Sequence, residues 1–240
     1  MAEGDQELSN TSTAPELSSF PTKGSSKGRL FEVTQMLEDM IVLGQLHPRE
    51  RLIEDELCVQ FSVKRHIARQ ALVELEHLGL VERIPNRGAV VRAYSAREVE
   101  NIHVVRELIE THAASLLELP LPDAALEELE SIQSLHEKAI AESDFQSVFR
   151  LNIAFHRALF SHCKNDSLIE AIEIFAKKSH AYRSVFVGNQ EYLEWAASEH
   201  RTMIKACRNA DKKLLVETCA GHLSPAKNHY IETWRTRFPD

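Results

Sequence analysis

Residues 63–91 are the stretch that most restricts how this chain can fold. Apolar side chains recur at helical spacing from position 67 to position 78, so one face of a helix is apolar. Gly79 follows, at the position where many helices end in the left-handed conformation. Residues 81–84 and 89–92 then flank a turn at 85–88, which predicts a two-stranded hairpin. A helix, a glycine stop and a hairpin in this order predict a winged helix-turn-helix.

The predicted helix begins with cationic side chains. Arg65, His66 and Arg69 lie at its start, and the two arginines are one turn apart. In a winged helix-turn-helix, this helix enters the major groove of DNA and the hairpin touches the adjacent backbone. Upstream, residues 30–41 predict a first helix and residues 57–61 a shorter second one. These elements fill about 65 residues, the size of one small DNA-binding module.

The distribution of charge tests this interpretation, because contacts to DNA phosphates require cations. The chain carries a formal charge of −8, which argues against non-specific binding to nucleic acid. Residues 29–56 hold three Lys and Arg against seven Asp and Glu, whereas residues 57–93 hold six against three. The cations therefore concentrate on the predicted recognition helix and wing. The alternative is a small helical domain whose arginines are merely solvated.

This region resembles the N-terminal domain of GntR-family transcription regulators. The residues that carry the resemblance are Leu43-Gly44, Pro48, Leu52, Glu54, Leu57, Val63 to Leu72, Leu78 to Val81 and Asn86-Arg87-Gly88. It implies that DNA is contacted from the recognition helix and the wing by Lys64, Arg65, His66, Arg69, Arg87 and Gly88. The chain has Lys64 and Ile53 where the family usually has small polar residues, so two helix N-caps, each worth about 1 kcal/mol, are expected to be missing. It also has Gln70 where the family commonly has Glu.

Composition divides the chain into three parts. Residues 1–28 are rich in Ser, Thr, Pro, Gly and Glu and are predicted to be a disordered tail, followed by the DNA-binding domain at 29–93 and a second domain at 94–240. The tail lacks the pattern of a signal peptide, and no segment approaches the roughly 20 apolar residues of a membrane helix. The four cysteines show no paired spacing, so reduced thiols and a cytoplasmic location are expected.

The second domain is predicted to contain helices only. Ser95 is a candidate N-cap for the first of them. The predicted spans are 96–119, 123–142, 144–163, 166–187, 189–209 and 211–235. Short connections between helices of this length favour an antiparallel bundle. The predicted fold is therefore mostly α: a winged helix-turn-helix with a small β-hairpin, then an antiparallel six-helix bundle.

This domain resembles the FCD ligand-binding domain of the FadR subgroup of the same family, in its shorter, VanR-like six-helix form. The matching segments are 105–114, 151–168, 199–206 and 221–223. The resemblance implies a metal site formed by Asn152, His156, His200 and His222. The chemistry agrees, since residues four apart share a helix face and three imidazoles with one oxygen suit zinc most readily, or nickel, cobalt or manganese. Asp is commoner than Asn at the first position, and an amide oxygen is the weaker ligand.

Eight other histidines are interpreted as solvated or locally satisfied: His47, His77, His103, His112, His136, His162, His180 and His229. The resemblance further implies that a small organic acid fills open coordination positions of the metal. Arg106 is a candidate to neutralise its carboxylate. The alternative for Arg106 is a structural ion pair with an acidic neighbour.

The resulting prediction is a homodimer whose recognition helices bind half-sites of double-stranded operator DNA. Repression relieved by the effector is the commoner arrangement in the family, and activation is the other. Two further functions stay open: a metal sensor in which the ion is the signal, and a metal-dependent enzyme in the bundle. The enzyme is disfavoured because no obvious general base lies beside the histidines and the DNA-binding domain would be unexplained, so the prediction is that the chain is not an enzyme.

Overall fold

The computed structural model of the chain describes residues 26–84, 88–183 and 188–237. Within these ranges the chain forms nine α-helices and three short strands. In the N-terminal domain they are α1 (Ser26–Val42), β1 (Arg51–Leu52), α2 (Glu54–Gln60), α3 (Arg65–His77), β2 (Val81–Ile84) and β3 (Gly88–Val91). In the C-terminal domain they are α4 (Ala96–Leu116), α5 (Asp123–Ala141), α6 (Phe145–Ser161), α7 (Asp166–Arg183), α8 (Gln190–Arg208) and α9 (Lys212–Arg237). The predicted mostly helical fold, with a winged N-terminal domain and a helical C-terminal one, is confirmed.

The N-terminal domain differs from the sequence prediction in two places. Helix α1 begins at Ser26, so the last three residues of the predicted tail are helical, while residues 1–25 lie outside the described residues. The wing contains a third strand, because β1 pairs antiparallel with β3 in a sheet of order β1-β3-β2. Strand β1 is only two residues long, too short to show the alternation by which strands are recognised.

Two glycines with positive φ shape the connection between α3 and the wing. Gly79 has φ +74° and follows the end of α3, which confirms the predicted glycine stop. Gly88 has φ +85°, and a Cβ on it would lie 2.2 Å from the carbonyl oxygen of Leu52. Glycine is therefore required at position 88 by the close approach of β1.

The C-terminal bundle agrees with the predicted helices to within a few residues at most ends. The predicted N-cap at Ser95 is confirmed, since its side chain accepts from the backbone of Glu98 and the Glu98 carboxylate accepts from the backbone of Ser95. Helix α7 ends at Arg183 among the described residues, and residues 184–187 of its predicted span lie outside them. The searched part of the chain contains no helix with the length and apolar character needed to cross a membrane.

One apolar core runs from the DNA-binding domain into the bundle. It joins the cores of α1, α2, α3 and the wing to side chains of the bundle helices α4, α7 and α9. Tyr94, the first residue after the predicted DNA-binding domain, is 2% exposed, and its hydroxyl donates to the Gly79 carbonyl over 2.9 Å. The Tyr230 hydroxyl donates in turn to the Tyr94 carbonyl over 2.7 Å. The segment between the domains is thus packed on both sides.

Candidate functional site

Helix α3 separates its cations from the core as the sequence predicted. Lys64, Arg65, His66 and Arg69 are all exposed. The opposite face is buried and consists of Ile67, Ala68, Ala71, Leu72 and Leu75. The expected loss of two caps is also found, because neither Ile53 before α2 nor Lys64 before α3 makes a side-chain capping hydrogen bond. An exposed, cationic helix start beside a three-stranded wing has the form of a nucleic-acid interface.

The two arginines of α3 are paired with the acidic first turn of α2. Arg69 donates from Nε and Nη2 to the two carboxylate oxygens of Glu54, over 3.0 and 2.9 Å. Arg65 Nη2 lies 2.7 Å from Asp55 Oδ1. The hydrogen bonds from Arg69 lower the pKa of Glu54, although its partial burial acts in the opposite direction. These pairs hold both guanidinium groups on the exposed side of α3, and the sequence did not reveal them because the partners are ten and fifteen positions apart.

The wing gives less information about DNA contact. Arg87, at its tip, lies outside the described residues. Gly88 is the first residue of β3, and the close approach of the Leu52 carbonyl oxygen explains why this position needs a glycine. A DNA contact by either residue stays a prediction.

Three histidines meet inside the bundle. His156 lies on α6, His200 on α8 and His222 on α9. Each offers one ligand atom, and these atoms all lie within 4.8 Å of one another. His156 Nε2 and His222 Nε2 are 3.2 Å apart. His200 is 0% exposed and His222 is 4% exposed, whereas His156 is only partly buried, so two of the three imidazoles are shielded from bulk water.

An aromatic ring is stacked on each of the three imidazoles. Phe155 stacks on His200 with centroids 4.0 Å apart and planes 12° apart. Phe160 stacks on His156 at 6.1 Å and 18°, and Trp195 stacks on His222 at 5.6 Å and 16°. These contacts restrict the tilt of each imidazole, so the helices present the ring nitrogens in a fixed arrangement.

The geometry fits a divalent transition metal. Ligand nitrogens about 2.1 Å from a tetrahedral zinc ion lie about 3.4 Å from each other, close to the separation of the His156 and His222 nitrogens. His200 Nδ1 lies 2.8 Å from Gln133 Oε1, an acceptor, so Nδ1 carries the hydrogen and Nε2 carries the lone pair that a metal requires. His200 can therefore offer its Nε2 lone pair to an ion bound between the three imidazoles.

A cavity of about 570 Å³ adjoins this cluster. Asn152 and His156, one turn apart on α6, both contribute to its wall, as predicted from their spacing. Helix α7 forms a second side of the cavity, and α1 of the DNA-binding domain, through Phe31 and Thr34, forms a third. The cavity is thus bounded by both domains, and ligation of a metal by Asn152 stays a prediction.

Arg106 is paired with an acidic neighbour on its own helix, α4. Its Nε donates to Glu110 Oε1 over 2.8 Å, and both side chains are buried. Burial lowers the pKa of Arg106, but the neighbouring Glu110 and Tyr182 outweigh it and raise the pKa overall. Arg106 is not among the residues that line the cavity. The structural ion pair that was the alternative for Arg106 is therefore present, and a contact of Arg106 with an effector stays a prediction.

Other cations line the cavity instead. Arg157 is paired with Glu173 at 2.9 Å, and Arg150 is paired with acidic residues of α1. Lys177 also lines the cavity, and within the described ranges no acidic group lies within 4.0 Å of its amine. Lys177 is accordingly the cavity cation whose charge is least compensated.

A buried polar cluster joins α1 to α6 and α7 across the domain boundary. Arg150 lies 3.2 Å from Glu38 Oε2 and also pairs with Asp39. His180 Nδ1 lies 3.2 Å from the other oxygen of Glu38. Burial raises the pKa of Glu38, but the hydrogen bonds and charges of His180 and Arg150 outweigh it, so this pKa is lowered overall. The partners are more than 100 residues apart in the chain, and sequence reasoning gave no sign of the cluster.

His136 lies beside the histidine cluster, which the sequence did not predict. It is 1% exposed, and its ring centroid lies 5.2 Å from that of His200. Its position on α5, one helix turn away from Gln133, gives no spacing that would distinguish it from a solvated histidine.

Comparisons with known proteins agree with this architecture. Residues 31–91 match the family model described as bacterial regulatory proteins, gntR family, and residues 101–225 match the FCD domain. The chain is 26% identical to the HTH-type transcriptional regulator YdhC of Bacillus subtilis over 80% of this chain and 87% of that protein. It is 23% identical to the gluconate operon transcriptional repressor of Bacillus licheniformis, over 90% of each. A crystal structure of a putative GntR regulator from Rhodococcus sp. RHA1 is similar in fold, with TM-score 0.72, 21% identity, and coverage of 86% of this chain and 99% of that one.

Proposed function

This chain belongs to the GntR family of DNA-binding transcription regulators, with a C-terminal FCD domain, and we propose that it is a repressor whose operator affinity is controlled by a small carboxylate bound beside a metal ion. The family consists of regulators and not enzymes, which removes the enzyme alternative. The proposal is carried by one observation: the His156, His200 and His222 cluster adjoins a cavity that the DNA-binding domain helps to enclose.

The cavity has the chemistry to take a small organic acid. Asn152 and the three histidines would hold the ion, which when bound supplies a Lewis-acidic position for a carboxylate oxygen. Lys177 contributes a positive charge to the same cavity, and the apolar side chains of Phe160 and Ile172 can pack against a carbon skeleton. The similarity to a gluconate operon repressor makes D-gluconate a first probe to test.

Helix α6 connects the cavity to the DNA-binding domain. It carries Asn152 and His156 on the cavity wall, and Arg150, two residues before Asn152, contacts Glu38 and Asp39 of α1. A ligand that prefers one placement of α6 against α1 changes the population of DNA-binding arrangements. A coupling of about 1–3 kcal/mol corresponds to a 5- to 150-fold change in affinity, enough to release an operator.

The proposal includes a homodimer, since two recognition helices are needed for the two half-sites of a palindromic operator. Two aliphatic side chains one turn apart on α4, Val104 and Leu108, are 64% and 68% exposed in the single chain. An exposed apolar pair of this kind is consistent with a subunit contact. Sedimentation equilibrium of the purified protein measures the oligomeric state directly.

The deciding experiment measures metal by mass spectrometry in the purified protein and in a variant with His156, His200 and His222 all replaced by alanine. About one equivalent of metal in the wild type, lost in the variant, supports the site. Absence of metal in both, after dialysis against zinc, contradicts it. Operator fragments selected by the protein from random DNA then allow gluconate and other small carboxylates to be tested for release. Release by a chelator alone would instead indicate that the ion itself is the signal.

A further inference from the structure

We propose that Gln133 is the positioning residue of the metal centre, because its amide fixes which nitrogen of His200 is available to a metal ion. The inference rests on the proposed metal site. It also makes a statement about the metal-free protein that can be tested separately.

The orientation of the Gln133 amide is set by two contacts of its nitrogen. Gln133 lies on α5 and is 0% exposed. Its Nε2 lies 3.2 Å from the carbonyl oxygen of Ala197 and 3.0 Å from Glu137 Oε1, both of which are acceptors only. A flipped amide would place Oε1 against these two oxygens and lose both hydrogen bonds. The amide nitrogen must therefore face Ala197 and Glu137, and the amide oxygen must face His200.

The direction of the His200 hydrogen bond follows from this orientation. Gln133 Oε1 can only accept, so the hydrogen on the 2.8 Å contact belongs to His200 Nδ1. A neutral imidazole with its hydrogen on Nδ1 has its lone pair on Nε2. The stacked Phe155 ring restricts the tilt of His200, and Gln133 restricts its rotation within the ring plane. Together they direct one basic nitrogen towards the other two histidines.

Glu137, which accepts a hydrogen bond from Gln133, is itself held by Arg201. Arg201 Nε and Nη2 donate to the two carboxylate oxygens of Glu137 over 2.6 and 2.5 Å. These hydrogen bonds lower the pKa of Glu137, so this group is a carboxylate near neutral pH. A chain of contacts thus runs from Arg201 on α8 through Glu137 and Gln133 of α5 to His200. Histidine ligands commonly depend on such a partner, whose loss lowers metal affinity by about 10- to 100-fold.

The test compares the full-length wild type with Gln133→Met, which keeps the length of the side chain but removes its acceptor, and with Gln133→Leu if the first variant does not fold. Thr218→Val is the matched control, because it removes a buried polar group from α9, four residues before His222, where the hydroxyl bonds only to the Leu214 carbonyl among the described contacts. Zinc affinity is measured by competition with a chromophoric chelator. We expect a loss of about 10- to 100-fold for Gln133→Met and less than about threefold for Thr218→Val. Wild-type affinity in a folded Gln133 variant overturns the proposal.

A second measurement separates this inference from the metal site itself. Long-range nitrogen–proton NMR correlations of the metal-free wild type should show His200 with its hydrogen on Nδ1, and the Gln133→Met variant should show both tautomers. Failure of the wild type to bind zinc would contradict the proposed function, whereas the tautomer would still report on Gln133. A wild-type His200 with its hydrogen on Nε2 would overturn the role of Gln133.

Discussion

Substitution Arg150→Met tests how strongly the polar cluster between the domains holds them together. The guanidinium contacts Glu38 at 3.2 Å and also pairs with Asp39, and the Arg150 side chain is 30% exposed while the two acids are 10% and 11% exposed. Methionine keeps much of the length and apolar character of the stem but removes the charge. His180 remains as a partner of Glu38, and Gln146 remains as a partner of Asp39.

The expected cost lies between two limits. Removing one partner of a fully buried ion pair costs about 3–5 kcal/mol, because the remaining charge is uncompensated. Breaking an exposed pair costs about 0–1 kcal/mol. Since the acids are mostly buried, the arginine is partly exposed and each acid keeps one other partner, we expect a loss of about 2 kcal/mol in the free energy of unfolding. For a chain of this size that loss lowers Tm by about 4–8 °C.

Helix α6 supplies a matched control for this measurement. Arg157 lies two turns after Arg150 and pairs with Glu173 at 2.9 Å, but its side chain is 58% exposed and its partner belongs to the same domain. Arg157→Met should therefore lower the free energy of unfolding by less than about 1 kcal/mol. Urea unfolding at pH 7, followed by circular dichroism, compares the two variants. Equal losses in both would refute the reasoning, because the burial of Glu38 and Asp39 would then have no effect on the free energy of unfolding.

Three further predictions concern other parts of the chain. Arg69→Ala should abolish binding to a selected operator without changing the Tm, as measured by fluorescence anisotropy and calorimetry; unchanged affinity would remove this residue from the interface. Gly88→Ala should destabilise the protein by at least about 2 kcal/mol more than Gly44→Ala. Both glycines have positive φ, but an added Cβ would clash with the Leu52 carbonyl oxygen at position 88 and would have no atom within 4 Å at position 44. The wild type should be more stable than Glu38→Gln, and this difference in the free energy of unfolding should be full above the ordinary carboxyl pKa of about 4.3 and vanish as the pH falls through the lowered folded-state pKa of Glu38. Urea unfolding of both proteins between pH 3 and 7 measures the difference, and a difference that does not change with pH would contradict the assignment.

The sequence was sufficient for the helices and for the shared face of Asn152 and His156, whereas the meeting of His156 with His200 and His222 was implied only by the family resemblance. Helical periodicity and the glycine after α3 predicted the recognition helix and its end, which the φ of +74° at Gly79 confirms. Spacing of four residues placed Asn152 and His156 on one face of α6, and both line the same cavity. These features depend on neighbours within a few positions, where local geometry leaves few alternatives.

Contacts between segments that are distant in the chain could not be predicted by the same reasoning. The two-residue strand β1 has no periodicity of its own and forms because β3 offers it a partner. Gln133, the partner of His200, lies 67 positions away from it, and nothing about a single glutamine in a helix indicates a buried network. Arg106 was left open between two interpretations, and the choice depended on whether Glu110 or the cavity lay beside its guanidinium. Such outcomes are fixed by tertiary packing rather than by local pattern.

The apolar core shared by the two domains has a consequence for engineering. A fragment cut at residue 93 would lose Tyr94, the two tyrosine hydrogen bonds and the bundle surface that covers the winged domain. It would expose apolar area to water and be prone to aggregate. Chimeras that exchange the DNA-binding domain for that of a relative must therefore transfer the matching faces of α4, α7 and α9 as well. In this chain the DNA-binding domain and the bundle faces that cover it form one unit for transfer.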